Sequence, residues 1–324
     1  MNARILLTTT SYQDTPGPHH GLLEGQGFEI VRERGPLDEE TMMRLAGEFD
    51  GLLCGDDALT RRVLEASMPR LQVISKYGIG LDKIDLGAAD ELGIPVLFTP
   101  GVNHTTVAEH AFCLILAHMR NLVDVVNATR SGRWLRPTGH ELWQKRIGIL
   151  GMGRIGFEVA RRAKGFEMEV SSFSLDWPDA ADELGVTRYD TPEELFRTAD
   201  VISVCLSLNE QTRGYVNRER LALLRPGTLL VNTSRGELVD NDAVVEALED
   251  GRLSGYVTDV LDVEPPPSDH PLLVHPRTIV TSHIGSRTYE SVPRQAMMAT
   301  ENLIHYLLKS GPYRQANNPA PRAS

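Results

Sequence analysis

Two runs of alternating strand-like and helix-like segments, parted near residue 100, predict an α/β protein with two doubly wound parallel-sheet domains. Three observations carry that expectation: the alternation, a glycine-rich turn between a strand and a helix at residues 151–156, and polar residues gathered just past three later strands. Strand–helix alternation gives parallel pairing, because each crossover helix returns the chain to the same end of the sheet. At 324 residues the chain also exceeds one ordinary core, so two domains are expected.

In order, Ile5-Leu6-Leu7 reads as a strand, Leu37 to Phe49 as a helix, Gly51 to Cys54 as a strand, Thr60 to Ala66 as a helix and Val73-Ile74-Ser75 as a strand. Pro100-Gly101 then breaks the pattern. From Thr106 to Asn121 runs a helix that is apolar around nearly its whole circumference, as a helix buried inside a domain or between subunits would be. Its core, Thr106–Met119, is expected to exceed what one subunit can bury, which points to a homodimer. A second series begins at Arg146, with strands at 168–174, 201–206, 228–232, 255–260 and 278–282, and a last helix covers Val292 to Lys309. The tail Gly311 to Ser324, rich in Pro, Asn and Ala, is expected to be poorly ordered. No repeat of solenoid period is present.

Composition excludes several partners. Lys and Arg number 33 against 44 Asp and Glu, a formal net charge of −11 with no long basic run, which argues against nucleic acid or an anionic membrane. The expected ligand is small. Cys54, Cys113 and Cys205 are odd in number, widely spaced and flanked by apolar residues, so they read as core thiols, and no metal site is expected. The N-terminal MNARILLTTT is too short an apolar run for a secretory signal, and no segment reaches the ~18 apolar residues of a membrane span. A cytoplasmic location is expected.

The first motif with chemistry is RIGILGMGRIG, in which Gly151, Gly153 and Gly156 form G-x-G-x-x-G between the strand Ile147–Leu150 and a helix running to about Lys164. Glycine at 151 permits a tight turn, at 153 lets a pyrophosphate approach the backbone, and at 156 lets helix and strand touch. The helix N-terminus adds free N–H groups and a positive dipole end. That context reads as a dinucleotide site. About twenty residues on, the strand ends in Ser174-Leu175-Asp176. If Asp176 reaches the ribose hydroxyls the cofactor is NAD, the favoured reading; if Ser174 holds that place, NADP stays open.

Three later segments end strands with polar residues: VNTSRGELVD places Arg235, TDVLDVEPP places Asp259 and Glu264, and TIVTSHIG places His283. In a doubly wound sheet, ligands bind outside the carboxyl ends of the strands, so all three deliver side chains to one edge. An arginine there can grip a carboxylate through two parallel hydrogen bonds and polarise a carbonyl. A carboxylate can orient an imidazole and raise its pKa, so that His⁺ protonates a forming alkoxide as hydride arrives. Taken singly, Arg235 is a turn cation, Glu264 a loop acid and His283 a strand-end residue; together they describe hydride transfer on an anionic carbonyl compound.

The chain resembles the D-isomer-specific 2-hydroxyacid dehydrogenases, a group that includes phosphoglycerate and glyoxylate/hydroxypyruvate enzymes. The likeness spans SKYGIGLDKIDL at 75–86, PGVNHTTVAEH at 100–110, GILGMGRIG at 148–156, VNTSRGELVD at 231–240, DVLDVEPP at 259–266 and HPLLVHPRTIVTSHIG at 270–285. It implies two Rossmann-like domains with an interdomain cleft: a flavodoxin-like substrate domain, 1–99 plus 286–324, and an NAD(P)-binding domain, 100–285. It implies that Arg235 binds the substrate carboxylate and carbonyl, that His283 is the acid/base and that Glu264 is its partner. Substrate contacts then fall to Lys76, Tyr77, Gly78, Ile79 and Asn103. Cofactor contacts fall to the glycine loop with Arg154 and Ile155, to Ser174 and Asp176, and to Cys205, Leu206, Thr212, Thr233, Asp259 and Gly285. The family pairs through the region of the apolar helix, so a homodimer is again expected.

Departures shape the substrate. Ser282 stands where the family commonly has proline, and Cys205-Leu206-Ser207-Leu208 replaces a proline-containing loop beside the adenosine. Asp56-Asp57 follow the second strand where phosphoglycerate-type relatives carry arginine, and two carboxylates would repel a phosphate. Lys76 either favours a more anionic substrate, such as a phosphonate-bearing oxo acid or phosphite, or is a solvated surface cation. Formate-oxidising relatives carry Gln in place of Glu264, which disfavours formate. The remaining alternative is an NAD(H)-sensing, corepressor-like protein without catalysis.

Overall fold

The computed structural model describes residues 3–321, which divide into two compact units: one runs to Asn103 and resumes at Arg287, and the other is His104–Ser286. In the first unit β1 (Arg4–Leu7), β2 (Glu29–Arg32), β3 (Gly51–Cys54), β4 (Val73–Lys76) and β5 (Val96–Leu97) form an all-parallel sheet in the order β2-β1-β3-β4-β5. β3 and β4 are buried along their whole length, as strands covered by helices on both faces must be. The covering on one face comes largely from the C-terminal helix Ser291–Leu308, whose Val292, Ala296, Ala299 and Leu303 pack with Ile5, Leu7, Leu53 and Val73.

The second unit holds β6 (Arg146–Leu150), β7 (Glu169–Phe173), β8 (Thr187–Arg188), β9 (Val201–Val204), β10 (Thr228–Asn232), β11 (Leu253–Thr258) and β12 (Thr278–Val280). They run parallel in the order β12-β11-β10-β9-β6-β7-β8. The chain starts at β6, winds outward to β8, then returns to β9 on the other side. The switch point therefore lies between β6 and β9, where the Cys205 N–H donates to the Leu150 carbonyl. The doubly wound α/β expectation is borne out in both units.

Three local expectations are corrected. The helix expected over Leu37–Phe49 is only Glu39–Leu45: Asp38 caps its start by accepting from the Thr41 N–H, and Gly47, at φ +78°, turns the chain out of helix. The apolar helix, observed as His104–Met119, needs no second subunit to cover it, since Val107, Ala108, Ala111, Phe112, Leu114 and Ile115 are buried, all but Val107 within the core cluster of its own unit. The tail is ordered as far as residue 321. The Arg314 carbonyl accepts from the Phe98 N–H, the Ala316 N–H donates to the Val96 carbonyl and the Ala320 N–H to the Asp90 carbonyl, so the tail lies along β5. The remainder of that expectation, 322–324, lies outside the described residues.

All three cysteines are free, but Cys113 is exposed rather than a core thiol. Among the described residues no single helix is long and apolar enough to cross a membrane.

Candidate active site and cofactor cradle

Every strand of the second sheet points its carboxyl end the same way, so the residues after β6, β7, β9, β10, β11 and β12 share one edge. The cradle at the switch point shows why glycine occupies the first and last of the three positions. Gly151 sits at φ +93°, and a Cβ there would lie 2.8 Å from the Cys205 carbonyl oxygen. A Cβ on Gly156 would lie 2.1 Å from the Gly151 carbonyl oxygen, so the helix Arg154–Gly165 and the turn are in backbone contact. A Cβ on Gly153 would meet nothing within 4 Å. The space above the first helical turn is therefore open, and its amides have no intrahelical acceptor.

Nearby, the Thr233 hydroxyl after β10 is buried with no hydrogen-bond partner. An open glycine turn at a helix start and an orphaned buried hydroxyl on the same edge fit a dinucleotide. Arg154 is exposed at the helix start and Ile155 packs on the core. Ser174 follows β7 directly, and its Oγ donates to the Asp176 carbonyl at 2.7 Å, which folds the strand tip over on itself. Thr212 is engaged in its own loop, its Oγ1 donating to the Ser207 carbonyl at 2.7 Å.

His283 and Glu264 are brought together. His283 Nδ1 lies 2.7 Å from Glu264 Oε2, each side chain about one-third exposed, and Glu264 Oε1 accepts from the Leu261 N–H at 2.9 Å. A carboxylate only accepts, so Nδ1 carries the proton of that bond. Arg235 follows β10 in extended backbone, with its Nη1 donating to the Ser234 carbonyl at 2.8 Å. Its neighbour Gly236 explains how the Arg235 turn meets the Glu264 loop, because a Cβ at 236 would lie 2.0 Å from the Leu261 carbonyl carbon and 2.2 Å from the Asp262 nitrogen. Only glycine lets those two backbones touch.

Asp259, just past β11, is 2% exposed. Its Oδ1 accepts from Thr281 Oγ1 at 2.5 Å and the Ile284 N–H at 2.9 Å, and its Oδ2 accepts from the Gly285 N–H at 2.6 Å. Burial by itself would raise this carboxyl's pKa, but the nearby His110 imidazole and the hydrogen bonds from Thr281 and Ile284 outweigh it and hold the group below the usual carboxylate range. Gly285 is glycine for contact reasons too: a Cβ there would sit 2.9 Å from Asp259 Oδ2.

In the first unit, Lys76 ends β4 and is 2% exposed, its ammonium donating to the Gly55 carbonyl at 2.5 Å and Asp56 at 2.6 Å. It is not a solvated surface cation. Asp57 is wholly buried and accepts from the Leu37 and Gly55 N–H groups and from the Thr8 hydroxyl, so it braces loops instead of presenting charge. The expected repulsion of phosphate by two carboxylates is corrected accordingly, one being paired and the other internal. In the loop after β4, the Tyr77 N–H donates to the Cys54 carbonyl and the Gly78 N–H to Thr99 Oγ1. Those two amides are therefore spent, which leaves the Ile79 and Gly80 amides. Asn103 is buried with its Oδ1 unpartnered.

Sequence reasoning passed over Thr281, His110, and the His270–Asp262 pair, 2.9 Å apart, that braces the Glu264 loop. Their contacts follow no motif, and the one between His110 and Thr281 is long-range. The available signals were the position of Thr281 at the end of the β12 run and the presence of His110, Asp262 and His270 in the family-like segments, none of which shows the contacts.

Comparison with known proteins places these features. The family described as "D-isomer specific 2-hydroxyacid dehydrogenase, NAD binding domain" matches residues 112–285. A glyoxylate reductase of Korarchaeum cryptofilum is 35% identical over 287 residues, covering 86% of this chain and 86% of that protein. A D-3-phosphoglycerate dehydrogenase of Bacillus subtilis is 34% identical over 306 residues, but these make up 94% of this chain and only 57% of that protein. Among solved structures, the TT0316 protein of Thermus thermophilus superposes with a TM-score of 0.86 at 35% identity, over 96% of this chain and 99% of that one. With its NAD-binding unit, its glycine cradle and this breadth of likeness, the chain belongs to the D-isomer-specific 2-hydroxyacid dehydrogenases, NAD-dependent oxidoreductases of 2-hydroxy and 2-oxo acids.

Proposed function

We propose that this enzyme interconverts a small 2-oxo acid, glyoxylate or hydroxypyruvate foremost, and the corresponding D-2-hydroxy acid, with NAD(H) as cofactor. The observation that carries the reading is the 2.7 Å bond from His283 Nδ1 to Glu264, whose other oxygen is tied to the Leu261 N–H. The nicotinamide, when bound, supplies or accepts the hydride.

Arg235 holds the substrate carboxylate and polarises the adjacent carbonyl. With Nδ1 committed to Glu264, His283 exchanges its proton with the substrate oxygen through Nε2, and Glu264 balances the charge of the imidazolium. The Ile79 and Gly80 amides and Asn103 are assigned to substrate in the first unit. Gly151, Gly153, Gly156 and Thr233 hold the dinucleotide. The absence of a carboxylate at Ser174 itself leaves NADPH to be compared with NADH. The pairing of Lys76 with Asp56 speaks against a phosphonate-bearing acid or phosphite, since the cation already has its counter-charge. The intact His283–Glu264 pair speaks against a purely sensing protein.

Partner and place follow. We assign a homodimer on the apolar side chains that stay exposed in the segment after the buried helix, Leu122, Val123, Val126, Trp134, Leu135 and Trp143. A cytoplasmic location suits three free cysteines.

The test follows the loss of reduced-nicotinamide absorbance with NADH and NADPH across a panel of 2-oxo acids from glyoxylate to branched and phosphonate-bearing ones, with phosphite plus NAD as the reverse control. Turnover of a small oxo acid is expected, together with a loss of about 10²-fold or more in kcat for His283→Ala at unchanged NADH affinity. Full turnover by His283→Ala refutes the assignment, and NADH binding without turnover on any substrate moves the protein to the sensing class.

A further inference from the structure

The bonds around Asp259 extend one step further, to a residue to which none of the motifs assigns a role. His110 lies on the helix His104–Met119, and its Nε2 is 2.9 Å from Thr281 Oγ1 and 3.3 Å from Asp259 Oδ1. Thr281 has one hydroxyl proton. The ionised Asp259 cannot donate, so that proton goes to Asp259 across the 2.5 Å contact. The Thr281 oxygen must therefore accept, and His110 must carry its proton on Nε2. The order is fixed: His110 Nε2–H to Thr281 Oγ1, Thr281 O–H to the Asp259 carboxylate, and the carboxylate to the N–H groups of Ile284 and Gly285.

What this chain holds is the backbone around His283. The His283 N–H donates to the Asp259 main-chain carbonyl at 2.9 Å, and His283 itself sits at φ +56°. A non-glycine residue in that region is strained by about 1–2 kcal/mol and persists only where its neighbours over-determine it. Three hydrogen bonds from consecutive amides to one residue supply that over-determination, and His110 and Thr281 fix the carboxylate that receives two of them.

We propose that His110 is a positioning residue for the proton-transfer step: through Thr281 and Asp259 it locks the left-handed turn that aims the His283 imidazole at Glu264. The proposal rests on the reading of His283 as the acid/base. Chemistry depends on sub-ångström placement of the proton donor, whereas the dinucleotide is held mainly by the cradle at β6 and β9, with Asp259 and Gly285 only a small part of its expected contacts. Loss of His110 should therefore appear far more in kcat than in NADH affinity.

The experiment compares His110→Ala, His110→Gln, His110→Asn and His283→Ala for kcat, KM of the oxo acid, NADH affinity and Tm. A glutamine can place an amide N–H where Nε2 stood, and an asparagine falls short of it. The expected result is a fall in kcat of about tenfold or more for Ala and Asn, with KM and NADH affinity within about twofold, and substantial rescue by Gln. If His110→Ala is folded and keeps full kcat while His283→Ala is inactive, the positioning role is overturned and the acid/base assignment stands. If His283→Ala is also fully active, it is the acid/base assignment that fails. An equal loss in Gln, Asn and Ala that follows Tm marks a merely structural residue. Should the His110 variants not fold, Thr281→Val and Thr281→Ser repeat the comparison with and without the bridging hydroxyl, Ser being expected to retain turnover and an equally active Val variant overturning the role.

Discussion

Asp259 shows how one buried carboxylate can serve a neighbour's geometry. Its pKa is held below the ordinary value because its hydrogen bonds favour the charged form more than burial disfavours it. The sign of the linkage follows: a carboxyl depressed in the folded state adds stability above its unfolded pKa, about 4, and that contribution is lost as pH falls through the lower folded value. Asp259→Asn is therefore expected to be less stable than the parent at neutral pH and to converge on it as pH drops below about 4. Thermal melts across that range check this, and a constant gap between the two proteins at every pH would contradict it. The residues in this network also mark the limit of what the sequence disclosed. Arg235, Glu264 and His283 were readable because each falls just after a strand of a parallel sheet. His110 was not, because its partner Thr281 is 171 residues away and only the packing of the helix brings the two together.

At the scale of elements, long buried strands were the most legible. The run Gly51–Cys54 and the run 228–232 were expected with the bounds observed, since both are continuous apolar segments between turns. Short helices such as Thr10–Asp14 and Pro18–Glu24, and the half-exposed strand Glu29–Arg32, gave too few periods to register. The glycine cradle was visible as a motif, but the structure separates the roles of its members. Gly156→Ala drives a methyl group into the Gly151 carbonyl and should cost about 1–3 kcal/mol of stability as well as NADH affinity. Gly153→Ala meets no protein atom and should melt like the parent while binding NADH more weakly. Calorimetry and NADH titration separate the two, and a strongly destabilised Gly153→Ala would show the open space to be misread.

For the molecule as a whole, the burial of the apolar helix inside its own unit removes the original reason for expecting a dimer and puts another in its place. Trp134 is 81% exposed and Trp143 54%, with Leu122, Val123 and Val126 exposed on the same stretch of chain, and apolar side chains of this size are costly to leave in water. Sedimentation of the parent should give a dimer, and Trp134→Asp combined with Val123→Asp should give a folded monomer. A monomeric parent would count against the assignment. The tail could not be read from composition, because its Pro- and Asn-rich sequence carries no periodicity and is ordered by main-chain bonds to the strand edge it covers.

That the first unit is built from both ends of the chain has a consequence for biosynthesis. Its sheet is covered on one face by the helix Ser291–Leu308, where the Ala299 carbonyl accepts from Ser75 Oγ at 2.7 Å, so a nascent chain that has emerged only as far as Asn103 has an uncovered apolar sheet face. The whole of His104–Ser286 is translated before that helix appears. The NAD-binding unit is contiguous and can close first on the ribosome, and the first unit must wait, with Ile5, Leu7, Leu53 and Val73 unprotected, until the helix Ser291–Leu308 has been made.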